Sequence, residues 1–165
     1  MSTEVYIGLG SNLDNPGLQI QHAVDALAKI KRCNVVDVSS LYSSKPMGPQ
    51  DQPDYMNAVA LLHTTLEPED FLDQLQTIEA DFGRVRKDQR WGARVLDLDI
   101  LLFGDLVINS ERLTVPHYGM KVREFVIYPL AEINENIALP DGTSVKSLQA
   151  KLDKNGLFVV RRLHI

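Results

Sequence analysis

The sequence lacks several features that would place it quickly in a structural class. It has 165 residues and one cysteine, Cys33, which excludes an internal disulfide and a cysteine-based zinc site. No apolar run approaches the roughly 18–20 residues of a membrane-spanning helix. The first residues show no basic segment followed by an apolar stretch, as a secretory signal peptide would. We therefore expect a cytoplasmic protein without a membrane partner, folded as one domain over residues 1–165.

Two common phosphate-binding motifs are also missing. Gly8 and Gly10 lie at the end of a predicted strand, but Leu13 stands where the dinucleotide fingerprint GxGxxG requires its third glycine. The P-loop pattern GxxxxGK[ST] does not occur anywhere in the chain. We therefore interpret the two glycines as residues of a tight turn between a strand and a helix. A nucleotide would have to be held in another way.

Basic residues are concentrated in one segment, and the rest of the chain carries a net negative charge. The formal net charge is −5, from 17 Lys and Arg against 22 Asp and Glu. Residues 84–94 (RVRKDQRWGAR) hold five basic residues and one acidic residue, a local +4, which leaves −9 for the rest. This pattern favours capture of a small polyanion over nucleic-acid binding. A solvated surface loop with no binding role is the alternative.

The spacing of apolar residues predicts an α+β fold. Strands are expected at 5–9, 36–42, 55–63 and 96–103, and helices at 16–31 and 68–83. Residues 43–53 form a long Pro- and Gly-rich loop of the kind that often binds ligands. The order β-α-β-β-α-β matches the ferredoxin-like sandwich, with helices on one face of an antiparallel sheet. Extra C-terminal elements are predicted: a hairpin strand at 106–108, a short helix at 119–122 and an extended segment at 125–128.

Two carboxylates on one predicted strand are the strongest chemical signal. Because side chains alternate along a strand, Asp97 and Asp99 share a face while Leu98, Ile100 and Leu102 point to the core. Such a pair repels itself unless a cation lies between its members, and oxygen ligands favour Mg²⁺ over zinc. Arg94 precedes the pair by three residues, so cationic groups lie close to it in sequence. This combination is typical of phosphoryl transfer, although a magnesium-dependent nuclease could use the same groups. The alternative without a metal is that both acids face water at a strand end and pair with arginines.

A site for a second substrate is suggested by the Pro-rich loop and the strand that follows it. Tyr55 and Asn57 are two apart on a predicted strand, so an aromatic ring and an amide share a face and could bind a flat heterocycle. A core or rim position for both is the alternative. His117, fixed by the preceding Pro116, could donate to a phosphate oxygen or simply be a loop histidine.

Several segments together resemble the 6-hydroxymethyl-7,8-dihydropterin pyrophosphokinase family. They are YIGLGSN (6–12), GPQDQPDYMNAV (48–59), GRVRKDQRWGARVLDLDILLFG (83–104) and RLTVPHYGMKVREF (112–125), in family order. The resemblance implies a ferredoxin-like fold and transfer of diphosphate from ATP to the pterin hydroxymethyl group, with release of AMP, in folate biosynthesis. We also expect a monomer that acts on small molecules and, given its net negative charge, binds no nucleic acid.

The same resemblance implies a role for each site residue. Asp97 and Asp99 would hold two Mg²⁺ ions and belong to the catalytic set with Arg84 and Arg94; Asp97 is a weak candidate for the proton acceptor. The ATP site would comprise Gln76, Arg84, Arg86, Arg90, Trp91, Arg94, Ile100, Arg112, Thr114, His117, Tyr118 and Arg123. The pterin site would comprise Ser44, Pro46, Met47, Tyr55, Asn57, Trp91, Asp97 and Phe125. A ferredoxin-like regulatory module that binds a nucleotide without turnover is the non-enzymatic alternative.

Overall fold

A computed structural model of the protein describes residues 2–12, 15–45, 54–83 and 95–165, which form an α+β fold. The strands are β1 (Thr3–Ser11), β2 (Cys33–Val38), β3 (Leu41–Ser44), β4 (Tyr55–Thr64), β5 (Asp97–Phe103), β6 (Ile108–Asn109), β7 (Thr114–Val115) and β8 (Phe158–Arg161). The helices are α1 (Pro16–Leu27), α2 (Pro68–Gly83), α3 (Glu124–Ile133) and α4 (Val145–Lys151), with a 3₁₀ turn at Met120–Val122. The Val115–Pro116 peptide is cis.

The main sheet is antiparallel in each of its strand pairs. Its order is β5-β1-β4-β3-β8, and β2 pairs with β4 next to β3. Strands β2 and β3 are therefore two parts of one sheet position, separated by a short break. The central pair, β1 and β4, runs in register from Thr3 opposite Thr64 to Ser11 opposite Met56. This arrangement brings β5, β1, β4 and β3 side by side beneath one shared surface.

Helices cover both faces of the sheet. On one face, α1 and α2 pack against Val5, Ile7 and Leu9 of β1, which alternate with residues of the other face. On the opposite face, α3 and α4 pack against a second apolar cluster that includes Tyr6 and Leu101. The prediction of helices on one face was therefore incomplete, because the C-terminal helices form a third layer.

Helix α2 follows from its sequence pattern. Its acidic first turn, Glu69 and Asp70, complements the positive end of the helix dipole. Phe71, Leu75 and Ile78 are buried at spacings of four and three, and Phe71 packs edge-on against Phe103 with ring centroids 6.0 Å apart. Burying each large apolar side chain contributes about 1.5–3 kcal/mol, which fixes α2 against β5. The predicted bounds of α2, 68–83, are confirmed.

Several predicted elements differ in the structure. Residues 125–128 belong to α3, since Val126, Ile127 and Leu130 are buried along one side of that helix against the sheet. Residues 106–108 do not form a hairpin with β5; Ile108 and Asn109 pair with β7 in a separate two-stranded sheet. Helix α1 ends at Leu27 instead of 31. Leu102 was predicted to share a face with Leu98, but it is buried on the opposite face of the sheet, in the cluster with Tyr6. The reason is that the β1–β5 register shifts between Tyr6 and Ile7.

Within the described ranges, no helix has the length and apolar character needed to cross a membrane.

Candidate active site

A cavity of about 170 Å³ opens on the α3 side of the sheet. Strands β1, β3, β4 and β5 form its floor, and the segment from His117 to Val126 forms a wall. Its lining comprises Gly8, Leu9, Gly10, Ser44, Lys45, Tyr55, Asn57, Ala58, Asp97, Asp99, Leu101, His117, Arg123, Phe125 and Val126. The cavity thus joins residues of four adjacent strands that are far apart in sequence.

The two glycines of β1 leave room at the centre of the cavity floor. Gly8 lies opposite Asp99, and Gly10 lies between Asp97 on one side and Asn57 on the other. A Cβ atom on Gly10 would lie 3.5 Å from Asn57 Oδ1. The interpretation of these glycines as a strand–helix turn was wrong, because both lie inside β1. Their spacing of two, on an alternating strand, was the signal that could have identified them.

The two aspartates of β5 share the cavity face, as the alternation predicted. Asp97 and Asp99 both line the cavity, whereas Leu98 between them is buried against the helices of the other face. The backbone N–H of Leu98 donates to Glu79 Oε2 of α2 at 2.8 Å, which anchors the strand between its two acids. Among the residues that the structure describes, no group of three or more His, Cys, Asp or Glu side chains converges on a point that could hold a metal.

His117 lies beside Asp99, and a hydrogen bond fixes the tautomer of its neutral ring. Its Nδ1 accepts a hydrogen bond from the Gly119 N–H at 3.1 Å, so the proton of the neutral ring is on Nε2. Nε2 lies 3.8 Å from Asp99 Oδ2. Burial lowers the pKa of His117, the Asp99 carboxylate raises it and the Arg123 guanidinium lowers it, with a net lowering. The neutral ring therefore presents an N–H donor next to the carboxylate pair.

Arg123 is packed among aromatic rings at the cavity wall. Its guanidinium carbon lies 5.8 Å from the ring centroids of both Tyr118 and Phe125. Tyr118 stacks on His117 at 4.7 Å and is 81% exposed. A Cβ atom on Gly119 would come within 2.9 Å of the Arg123 guanidinium, so this glycine permits the close approach. Arg123 and His117 therefore give the wall two side chains with N–H donors.

The other end of the cavity has an oriented amide. Asn57 is buried, and its Nδ2 donates to Ser44 Oγ at 2.7 Å. The amide oxygen consequently faces Gly10 and the cavity. Tyr55 pairs with Ser44 in register, and Phe125 lines the cavity from α3. An acceptor oxygen with two aromatic side chains suits a flat heterocycle that carries N–H donors.

The remaining predicted residues have varied positions. Gln76 contacts Arg112, with 3.2 Å between Gln76 Oε1 and Arg112 Nη2, although neither lines the cavity. Thr114 is exposed on β7, and Ile100 is buried in the core beneath β5, so only its backbone could meet a ligand. Seven predicted site residues lie outside the described part of the chain: Pro46, Met47, Arg84, Arg86, Arg90, Trp91 and Arg94.

Comparison with known proteins identifies the family. Residues 6–135 match the family described as 7,8-dihydro-6-hydroxymethylpterin-pyrophosphokinase. The 2-amino-4-hydroxy-6-hydroxymethyldihydropteridine pyrophosphokinase of Pseudomonas aeruginosa is 51% identical over 157 residues, covering 95% of this chain and 96% of the relative. The protein of that name from Haemophilus influenzae is 53% identical over 143 residues, covering 87% and 89%.

Solved structures support the fold. The crystal structure of wild-type Plasmodium falciparum HPPK-DHPS superimposes with a TM-score of 0.72 at 14% identity, over 92% of this chain. This chain spans 45% of that polypeptide, so the likeness concerns the fold of one part of it. The family match covers most of the chain, and the relatives named above exceed 50% identity. The chain therefore belongs to the 7,8-dihydro-6-hydroxymethylpterin-pyrophosphokinase family.

Proposed function

We propose that this chain transfers the terminal diphosphate of ATP to the hydroxymethyl group of 6-hydroxymethyl-7,8-dihydropterin in folate biosynthesis. The hydroxymethyl oxygen would bond to the β-phosphorus, the bond from the β-phosphorus to the α-phosphate oxygen would break, and AMP would leave as the hydroxyl proton is lost. One observation carries this proposal beyond family membership. A single cavity has the Asp97–Asp99 pair at one end and the oriented Asn57 amide at the other.

The acceptor half suits the pterin ring. Asn57 Oδ1 would accept from N–H groups on the ring edge, while Tyr55 and Phe125 would contact its faces. Ser44 would fix the Asn57 amide in the required orientation. The aromatic and amide groups fit a neutral, flat acceptor, whose hydroxymethyl group would extend across Gly10 toward Asp97. Pro46 and Met47 remain predicted contributors to this pocket.

Asp97 and Asp99 suit a magnesium site that is completed by substrate. Mg²⁺ is commonly held by one or two protein carboxylates together with substrate phosphates and water. Two acids on one face of β5, without a third acidic or histidine ligand among the described residues, fit this donor set. We infer two ions, which when bound would neutralise phosphate charge and polarise the reacting phosphoryl group. The glycines opposite both acids leave the space that triphosphate oxygens require.

The wall beside the aspartates suits the triphosphate. The Nε2–H of His117 and the Arg123 guanidinium would donate to phosphate oxygens at positions set by Gly119 before ATP arrives. Donors that are already oriented stabilise charge in the transition state without reorganisation. Arg84, Arg86, Arg90, Trp91 and Arg94 are proposed, from the family resemblance alone, to complete the ATP site. Tyr118, which stacks on His117, and Thr114 on β7 are further proposed ATP contacts.

We propose that the sheet and helices α1 and α2 form a ferredoxin-like core. The strand order β5-β1-β4-β3 and the position of α1 and α2 on one face support a ferredoxin-like core, to which α3, α4 and β8 are additions. We propose one domain over residues 1–165, acting as a cytoplasmic monomer on small substrates and independently of nucleic acid.

Product analysis tests the proposal. Purified protein is mixed with Mg-ATP and 6-hydroxymethyl-7,8-dihydropterin, and nucleotides are separated by chromatography. AMP should form in a one-to-one ratio with the pterin diphosphate, and only when pterin is present. ADP or free phosphate as the product would contradict the proposed transfer. Formation of AMP without pterin would indicate hydrolysis, as in the nuclease alternative, and ATP binding without any product would favour a regulatory module.

A further inference from the structure

Arg112 is held by three acceptors from helix α2. Its Nη1 donates to Glu69 Oε1 at 3.1 Å, and its Nη2 donates to Asp73 Oδ1 at 2.6 Å and to Gln76 Oε1 at 3.2 Å. Asp73, chiefly through its hydrogen bond, and then Glu69 raise the pKa of Arg112. Neither Glu69 nor Asp73 was predicted from the sequence to belong to the site.

The three acceptors form one stripe on α2. Glu69, Asp73 and Gln76 are spaced by four and three residues, which places them on one face of a helix. Glu79, three residues further on, continues the stripe and accepts from the backbone N–H of Leu98, between the two cavity acids. One face of α2 therefore contacts both Arg112 and the strand that carries Asp97 and Asp99.

Stability alone does not account for this arrangement. The Arg112 side chain is 42% exposed and those of Glu69 and Asp73 are 56% and 55% exposed. Ion pairs this exposed are screened by water and salt and contribute little to folding. Their main effect is on the position of Arg112, because two acids bound to two different guanidinium nitrogens restrict a side chain that is otherwise flexible.

We propose that Asp73, with Glu69, is a positioning residue that holds the Arg112 guanidinium ready for ATP. This inference rests on the proposed function and on the family resemblance, which implies that Arg112 and Gln76 belong to the ATP site. The held guanidinium keeps further N–H donors for the nucleotide and needs less ordering when the nucleotide binds. Loss of such pre-organisation weakens binding by about three- to tenfold for one long side chain.

Simple electrostatics predicts the opposite change in ATP affinity when Asp73 is replaced. Asp73 carries a negative charge, so its removal near an anionic ligand should strengthen ATP binding if charge alone mattered. Positioning predicts weaker binding, because Arg112 loses its shortest contact. The direction of the change in the dissociation constant (Kd) therefore separates the two explanations.

The experiment measures binding of α,β-methylene-ATP with Mg²⁺ by calorimetry. The variants are D73N, E69Q, R112M and the double variant D73N/R112M, with D70N as the matched control. Asp70 is exposed on the same helix, and none of the described contacts joins it to Arg112. D73N should raise Kd about three- to tenfold and leave kcat at saturating ATP within about twofold. D70N should leave Kd within about twofold, and D73N should have no further effect once Arg112 is replaced.

Three results would overturn the inference. They are an unchanged or lower Kd in D73N, a D73N effect of the same size in the R112M background, and an unchanged Kd in R112M itself. If D73N has a lowered melting temperature (Tm), the Kd of E69Q is compared with that of the unmodified protein instead, because Glu69 binds the other guanidinium nitrogen. A raised Kd in E69Q supports the inference, and an unchanged Kd overturns it. Each of these failures leaves AMP formation by the unmodified protein intact, whereas failure of the proposed function removes it.

Discussion

Replacing Ser44 with alanine tests the orientation of the acceptor pocket. Ser44 Oγ is the acceptor for Asn57 Nδ2 at 2.7 Å, and both residues are at least 94% buried. In S44A the Asn57 Nδ2 group loses its hydroxyl acceptor, and a buried donor without an acceptor lowers the stability of the fold by about 1–3 kcal/mol. Rotation of the amide relieves this cost by turning Nδ2 toward the cavity. The ring edge would then meet a donor where it needs an acceptor.

The expected loss follows from these contacts. A missing hydrogen bond together with a misdirected donor should weaken pterin binding by about 1–2 kcal/mol, which is roughly five- to thirtyfold in Kd. Calorimetric titration with 6-hydroxymethyl-7,8-dihydropterin, in the presence of Mg²⁺ and α,β-methylene-ATP, measures this change. Ser43→Ala is the matched control, because Ser43 is equally buried but its side chain lies on the other face of β3. A Kd within twofold in S44A, or an equal loss in S43A, would refute the reasoning.

Three other predictions concern the phosphate side and acid stability. Asp99→Asn should retain less than about a tenth of AMP formation in a chromatographic assay, while its Tm stays unchanged. Chelation of Mg²⁺ should reduce the activity of the unmodified protein to the same extent, and retention of most activity in either experiment would exclude the metal role. Gly119→Ala should lower kcat/KM about ten- to a hundredfold, because its Cβ would displace the Arg123 guanidinium; steady-state kinetics that match the unmodified protein would show that Arg123 needs no such position. Lys121 lowers the pKa of Asp141, so the stability that this carboxylate contributes is present above about pH 4 and lost as pH falls further. Because both side chains are about half exposed, Asp141→Asn should lower Tm only slightly at pH 7, and the difference should become smaller as pH falls below about 4; a difference that stays constant with pH would contradict the assigned ion pair.

The carboxylate pair could be predicted because it depends on local geometry. Alternation along a strand places Asp97 and Asp99 on one face whatever the rest of the fold, and the structure confirms this. The helix at 68–83 was predictable for the same reason, since its acidic first turn and apolar spacing are properties of the segment itself.

Helix α3 could not be predicted because its conformation depends on the sheet it covers. The sequence Phe125-Val126-Ile127-Tyr128 is rich in residues that favour strands, and Pro129 follows directly. Burial of Val126, Ile127 and Leu130 against the second face overrides that preference. Missing this helix also meant missing that the sheet has helices on both faces.

The cavity floor and the Arg112 contacts depend on strand register and on segments distant in sequence. Gly8 and Gly10 form the cavity floor because β1 lies between β5 and β4. No local sequence pattern shows this position of β1 in the sheet. Asp73 contacts Arg112 across 39 positions of sequence. Such pairings follow from tertiary structure, so they could be identified only after the fold was known.

A crystal structure with Mg²⁺, α,β-methylene-ATP and 6-hydroxymethyl-7,8-dihydropterin tests the central claim most directly. The account predicts a divalent ion bound to both Asp97 and Asp99, and a pterin ring between Tyr55 and Phe125 with its edge at Asn57 Oδ1. Both carboxylates without metal in the complex, or a pterin ring bound away from Asn57, would contradict it.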